Sequence, residues 1–454
     1  MSFDSIFYLC CFLPLALGLY WLTPGLRLKN WLLLIMGLVF YSFGSFSGIL
    51  LLLMSAAVSF VLGLLIRRQK LAKTAMIVGV AGNILFLLTY KYLGSLLSQM
   101  FGVTQVAQSL IAPIGISFFT FKNISYLIDG FREPAKITHR FQDYLLYISF
   151  FPQIMAGPIT RYDDFSAQLQ SRNCDLDKFT DGLQRFILGL FKKVILCAIV
   201  GSVVDKIFSM ESDLLDFRLA WIGAIGYMVQ IYFDFAGYSD MAIGMGVMLG
   251  FHTPENFNYP YIASSVADFW RRWHISLSTW FKDYLYIPLG GNRKGQLRAA
   301  LNKFIVFLLC GLWHGYGLTF LLWGAWHGLF SALESLKIIN PKKLPKFLAH
   351  IYTLLVVCLG FVMFRASSAQ DGFRVLGAMF TGFFCSPGTT IALHQILNLK
   401  TIAFLLGGCV FCTPLAKKIP CPYILRCVGC IGLYFLCLAA LASGGFTPFI
   451  YFQF

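Results

Sequence analysis

Two histidines stand inside thirty residues, 304–333, that hold no Asp, Glu, Lys or Arg. His314 lies in Gly311-Leu312-Trp313-His314-Gly315-Tyr316-Gly317, and His327 in Trp323-Gly324-Ala325-Trp326-His327-Gly328. An ionisable side chain is costly in such surroundings and marks a candidate functional site, unless a backbone carbonyl simply satisfies it. A neutral imidazole, with an ordinary pKa of about 6.5, can draw a proton from a hydroxyl at neutral pH, which suits it to general-base work. On a helix Trp323 and His327 fall at i and i+4, so indole and imidazole pack side by side. Gly324 and Gly328 make a small-residue face where a second helix can approach closely. The glycines around His314 predict a helix end there, which puts the two histidines on different helices.

A third histidine sits in Asp268-Phe269-Trp270-Arg271-Arg272-Trp273-His274-Ile275-Ser276-Leu277-Ser278-Thr279-Trp280-Phe281. Ser264 and Ser265, just before it, suit a helix N-cap. At helical spacing Trp270, Trp273, Leu277 and Trp280 form an apolar face, and Arg271, His274 and Ser278 share another. The segment reads as one amphipathic helix, either an interfacial anchor with His274 solvated or a wall of a polar interior. Asp234 and Asp240, in Tyr232-Phe233-Asp234-Phe235-Ala236-Gly237-Tyr238-Ser239-Asp240, stand in apolar context. They could pair with Arg271 or Arg272, orient a histidine, or coordinate an ion in a transporter; a structural ion pair is the favoured reading.

The elements that carry these residues are set by composition. Charged residues make up 12% of the chain and hydrophobic ones 58%, against about 25% charged in an average soluble protein, so a soluble fold is excluded. Apolar runs long enough for a hydrocarbon core of about 30 Å recur throughout, uncharged over 48–66, 74–90, 92–121, 304–333, 375–399 and 427–454. Spans are predicted near 3–22, 30–44, 48–66, 74–93, 110–130, 141–157, 180–208, 218–250, 302–313, 317–336, 347–365, 374–394, 400–416 and 428–446. The fold class is therefore an all-α integral membrane protein with about 11–14 membrane helices, some re-entrant. Residues 1–454 form a single membrane domain, and the first span lacks a cleavage site and is expected to be retained.

The net charge of +16 does not point to nucleic acid. Its clusters, such as Arg67, Arg68, Lys70 and Lys73, sit in short loops, as the positive-inside rule expects of cytoplasmic ones. Loops 23–29 and 67–73 lie two spans apart and share a side, which places the N-terminus outside and also lets basic loops meet membrane lipid. Cys409, Cys412, Cys427 and Cys430 approach a zinc-ribbon spacing, but no His or carboxylate stands near to support a metal. Reduced packing residues are expected, and no metal site.

Taken together, five motifs resemble the membrane-bound O-acyltransferase family. They are Ala156-Gly157-Pro158-Ile159, the Asp234 segment, Asp268 to His274, Asp283-Tyr284-Leu285-Tyr286-Ile287-Pro288-Leu289-Gly290-Gly291-Asn292-Arg293, and Trp313-His314-Gly315 with Trp323 to Gly328. The resemblance is dense over 113–330, the expected catalytic core, and is strongest to the branch that acetylates alginate and peptidoglycan. It implies a tunnel through the membrane with amphipathic interfacial helices around it. The family's near-invariant histidine falls on His327 and its second polar position on His274, both then catalytic. His314, Trp313, Trp323, Arg271 and Asp234 become substrate-binding candidates.

The implied chemistry is acetyl transfer from a cytoplasmic acyl thioester, such as acetyl-CoA, to hydroxyls of an extracytoplasmic polysaccharide. Transfer is direct or through an extracytoplasmic SGNH-type partner. No tightly bound cofactor is implied, and the compartment would be a bacterial cytoplasmic membrane. D-alanyl transfer to teichoic acid is the nearest alternative. A secondary transporter would use Asp234 and Asp240 and usually shows duplicated halves, which this sequence lacks; a scaffold would leave His327 free to vary.

Overall fold

The computed structural model describes residues 2–44, 46–94, 96–97, 112–155, 157–418 and 420–444. Ser45, Ala156 of the first motif, and parts of the runs 92–121 and 427–454 lie outside the described residues. The chain is helical from end to end of what is described, with no strand among those residues, as the hydropathy requires: in lipid a helix satisfies every backbone group within its own segment.

Two compact units are formed, one by residues 1–188 and 238–255, the other by 189–237 and 256–454. The first holds α1 (Tyr8–Leu22), α2 (Leu26–Ser42), α3 (Phe46–Arg67), α4 (Ala72–Leu93), α5 (Ile116–Arg132), α6 (Phe141–Ser149) and α7 (Tyr162–Gln170). Two helices contribute residues to both units, α8 (Leu176–Phe208) and α9 (Phe217–Met248). The second unit continues with α10 (Val266–Arg272), α11 (Ile275–Phe281), α12 (Gln296–His314), α13 (Leu318–Ser335) and α14 (Lys346–Arg365). It ends with α15 (Ala369–Thr381), α16 (Pro387–Ile396), α17 (Leu399–Phe411) and α18 (Tyr423–Ala442).

Among the described residues seven helices, α3, α4, α8, α9, α12, α14 and α18, are long and apolar enough to cross a membrane, and the bent pair α16–α17 makes an eighth if it is one span. Leu50, Met54, Val58 and Val61 are more than half exposed along α3, a stripe that only lipid would cover. By contrast 83% of the apolar stretch of α9 is buried in protein. The helices at four other expected spans, α1, α2, α5 and α13, fall short of that length or apolarity, and two further expected spans are interrupted. The helix predicted over 141–157 stops at Ser149, and that over 374–394 is split into α15 and α16. In the second case Ser386 caps a new helix, its hydroxyl accepting from Thr389 N–H at 3.1 Å, with Pro387 at the first position, where its missing N–H is harmless. The 72° bend between α16 and α17 has the same cause, Asn398 capping Thr401 N–H at 2.9 Å.

In the first unit polar side chains join helices where hydrocarbon offers no partner. Asn123 donates to Ser55 at 2.9 Å and to Asn83 at 3.1 Å, and accepts from Tyr144 at 2.6 Å, tying α5 to α3, α4 and α6. In the second unit glycines do the equivalent work. A Cβ on Gly324 would stand 2.6 Å from Phe307 O, and one on Gly328 would stand 3.1 Å from Phe304 O. The small face of α13 thus seats against α12, as its sequence spacing predicts.

Candidate active site

The second unit encloses a cavity of about 260 Å³. Its apolar wall comes from Trp270 and Trp273 of α10 and its end, Leu277 and Phe281 of α11, Phe307 and Cys310 of α12, Trp323 of α13, and Phe361 and Phe364 of α14. Arg271, Lys282 and Lys303 bring positive charge to the same cavity, Arg271 with its side chain 72% exposed and lightly engaged by Asp268 at 3.4 Å.

Several contacts fix these walls. The Glu334 carboxylate, at the end of α13, accepts from Val266 N–H at 2.7 Å and Ala267 N–H at 3.0 Å. It thereby caps α10 with the negative charge that a helix N-terminus favours. Ser265 completes the cap by accepting from Asp268 N–H at 3.0 Å, as its position predicts. Lys282 and Tyr286 belong to a π-helical turn, Lys282–Tyr286, that extends α11. The Gly290-Gly291 turn after it is held when Asn302 donates to Gly291 O at 3.1 Å. Gly290 and Gly291 adopt φ of 106° and 52°, the left-handed region where glycine carries no steric penalty.

The expected single helix through His274 is broken. α10 ends at Arg272 and α11 begins at Ile275, with His274 between them at φ 42°. A non-glycine residue in that region stores about 1–3 kcal/mol of strain and persists only when its surroundings overdetermine it. Here they do: Ile275 N–H donates to Asn256 O and Asn258 N–H to Arg272 O, both at 2.9 Å. His274 Nδ1 lies 3.0 Å from Asn256 Oδ1. His274 is buried, not solvated, which removes the interfacial-anchor reading.

Of the sequence-derived residues, His274, His314, Trp323 and Arg271 line the cavity. Trp313 packs edge-on against His314, ring centroids 4.5 Å apart. α12 ends at His314, and Trp323 and His327 share α13 with their rings edge-on at 5.2 Å, both as expected. His327 is 0% exposed and sits behind the cavity wall, against Trp270 at 4.9 Å as well as Trp323.

Asp234 is elsewhere. It is not part of the cavity lining and forms a buried ion pair with Lys193 of α8; Arg271 and Arg272 are engaged by Asp268 instead. Asp240 pairs with Arg185 at 2.9 Å in the first unit. Both aspartates are thus in ion pairs, as the favoured reading held, but with partners other than those named. Asp234, expected as a substrate-binding candidate, thus stands outside this cavity's lining and is engaged by Lys193.

Sequence reasoning missed Asn256, Ser331, Lys282 and Lys303. Ser331 stands at i+4 from His327, a spacing open to view, and Lys303 is the last charge before the uncharged run. Asn256 left no local signal. None of the thirteen cysteines is bridged in a disulfide, and among the described residues no group of three or more His, Cys, Asp or Glu could hold a metal ion.

Six polar side-chain atoms at or behind the cavity wall share one property. His274 Nε2, Trp270 Nε1, Trp323 Nε1, Ser331 Oγ and both ring nitrogens of His327 are buried without a hydrogen-bond partner in the protein. Buried polar groups are ordinarily paired, so a concentration of unpaired ones around one cavity marks a place for a polar ligand. Indole N–H groups donate only, a hydroxyl does both, and a neutral imidazole offers one donor and one acceptor. The set can stabilise a developing oxyanion and receive a proton within the same few ångströms.

Residues 35–367 match the membrane-bound O-acyltransferase family. The chain is 41% identical over 399 residues to a probable alginate O-acetylase, AlgI, of Pseudomonas aeruginosa, covering 84% of this chain and 75% of that protein. A peptidoglycan O-acetyltransferase of Helicobacter pylori is 34% identical over 421 residues, 84% of this chain and 80% of that protein. A teichoic acid D-alanyltransferase of Bacillus subtilis is 31% identical over 282 residues, 56% of this chain and 69% of that protein.

Proposed function

The chain belongs to the membrane-bound O-acyltransferase family, and from that premise we propose that it moves acetyl from a thioester donor to hydroxyls of an extracytoplasmic polysaccharide. The observation that carries this reading is the set of unpartnered polar atoms gathered at one apolar cavity whose charged edge is cationic. A thioester borne on a phosphate-rich carrier such as acetyl-CoA suits that edge. Its phosphates fit Arg271, Lys282 and Lys303, and its uncharged arm fits the aromatic channel.

In the proposed step His327 takes the proton of the acceptor hydroxyl while the hydroxyl oxygen attacks the thioester carbonyl. The carbonyl oxygen gathers charge, and the N–H groups of Trp270 and Trp323 are the donors at hand for it. As the C–O bond forms and the C–S bond breaks, sulfur leaves as thiolate and takes the proton back from the imidazolium. His274 Nε2 offers a second acceptor that orients the incoming hydroxyl. The enclosure of His327 by Trp270 and Trp323 means that one indole must yield for the hydroxyl to arrive.

Acetyl is favoured over D-alanyl as the cargo because the acetylating relatives match more of the chain at higher identity. An aspartate-coupled transporter loses its support, since Asp234 and Asp240 are each engaged by a cationic side chain. The paired basic loops support a donor side in the cytoplasm of a bacterium and an N-terminus outside its inner membrane; an SGNH-type partner would complete delivery where transfer is indirect.

The test uses the purified chain in bilayer nanodiscs with acetyl-labelled acetyl-CoA and soluble alginate or peptidoglycan oligomers. Ester-linked label on one oligomer is expected, with Lys282→Gln/Lys303→Gln raising KM for the donor. Label that never leaves the donor, with or without a candidate partner added, would overturn the proposal.

A further inference from the structure

Asn256 lies in an irregular segment before α10 and belongs to no motif considered above, yet its side-chain oxygen is the most heavily used polar atom at the site. It faces His274 Nδ1 at 3.0 Å, Ser276 Oγ at 3.0 Å and Ser276 N–H at 3.2 Å. The last contact settles which amide atom this is. A backbone N–H can only donate, so the atom it meets is an oxygen, and a flipped amide would set N–H against N–H. An amide oxygen in turn only accepts. His274 Nδ1 must therefore carry a proton, and in a neutral ring Nε2 is left with a bare lone pair.

That bare nitrogen is the one with no partner in the protein, and His274 lines the cavity. The ring is held edge-on by Phe235 at 4.4 Å, so it cannot turn over to exchange its nitrogens without repacking. Asn256 is itself wholly buried, and its backbone carbonyl accepts from Ile275 N–H at 2.9 Å. One residue thus stabilises both the left-handed backbone at His274 and the protonation pattern of its ring.

We infer that Asn256 is a positioning residue that locks His274 in the Nδ1–H tautomer, so that Nε2 serves the transfer as a hydrogen-bond acceptor and never as a donor. The inference rests on the reading that His274 takes part in transfer. It adds a direction: the group His274 contacts must bring its own hydrogen, as an acceptor hydroxyl or an amide N–H does, and a carbonyl oxygen is excluded there. The indoles, which only donate, are left for the carbonyl.

Two measurements test it. In ¹⁵N spectra of histidine-labelled protein, with His274 assigned by the resonances missing in His274→Ala, the unmodified chain should show a protonated Nδ1 and an unprotonated Nε2. A proton on Nε2 overturns the inference without any variant at Asn256. In the second, Asn256→Leu removes the acceptor at similar volume. It should release the tautomer and slow transfer about tenfold, the scale of one lost hydrogen bond in a buried site, with little change in KM for the donor. On the His274→Ala background the same substitution should leave the residual rate unchanged. An equal loss on both backgrounds would mean that Asn256 acts through folding alone and would overturn the inference. A His274→Ala variant that transfers at the parental rate would instead refute the role of His274, while the spectra still decide the tautomer.

Discussion

Gly360 offers a test that separates catalysis from folding. It lies in α14 opposite the imidazole of His327, and a Cβ added there would collide with Nε2, with Cε1 at 3.0 Å and Trp326 Cδ1 at 3.1 Å. Trp326 cannot give way cheaply, because its indole N–H donates to Val356 O at 2.8 Å. Behind the imidazole stand Trp270 at 4.9 Å and Trp323 at 5.2 Å. The ring must therefore shift, by roughly 1 Å, and a misplacement of that size costs about 10²-fold in rate. Overpacking by one methyl destabilises by about 1–3 kcal/mol, and replacing glycine by alanine inside a helix returns about 0.5–1 kcal/mol. Gly360→Ala should thus lose most of its transfer while melting only a few degrees below the parent in detergent. Gly377→Ala, in α15 with nothing within 4 Å of the new methyl, is the control and should keep both rate and melting temperature. Parental transfer by Gly360→Ala would refute the claim that the position of His327 limits the reaction.

Three further outcomes are expected. Reporter fusions after Arg68 should report cytoplasm and those near Ser47 the outside; the reverse would remove the basis for a cytoplasmic donor. His274→Ala should insert normally and lower transfer strongly without abolishing it, and an unchanged rate in acetyl-transfer assays would return His274 to a purely structural role. Asp234→Ala removes the carboxylate that pairs with buried Lys193 and should lower thermal stability by about 3–5 kcal/mol, the cost of breaking a buried ion pair from one side. The pair Lys193→Met/Asp234→Leu should recover most of that loss, and no recovery would argue against a structural ion pair.

What the sequence made legible was whatever a single helix decides. Trp323 beside His327, the helix end at His314 and the glycine face of α13 are consequences of 3.6-residue spacing, and they stand where the spacing puts them. The break at His274 was invisible to the same reasoning. Trp270, Trp273, Leu277 and Trp280 keep helical period across it, and the agent of the break is Asn256, eighteen residues earlier. The partner of Asp234 was hidden for a related reason. The aspartate's apolar setting announced a buried pair, but the partner is forty-one residues away on α8, and sequence proximity to Arg271 carried no information about it. The spans over 141–157 and 374–394 were drawn on hydropathy, which does not register a Ser386-Pro387 cap inside an uncharged run. The cavity was the least legible feature, because Lys282, Lys303 and Ser331 acquire meaning only when α11, α12 and α13 enclose the same space.

The central claim is that His327 is the base. A positioned base contributes about 10²–10⁴-fold to such a step, and the other imidazole in the uncharged run 304–333 is His314. The measurement is the rate of acetyl transfer from acetyl-CoA to a soluble acceptor by purified His327→Ala and His327→Gln, beside a melting curve for each. Both should insert and melt near the parent, and both should lose at least about 10²-fold in rate, since an amide cannot relay a proton. Retention of more than about a tenth of the parental rate by His327→Ala would contradict the account and shift the role to His314.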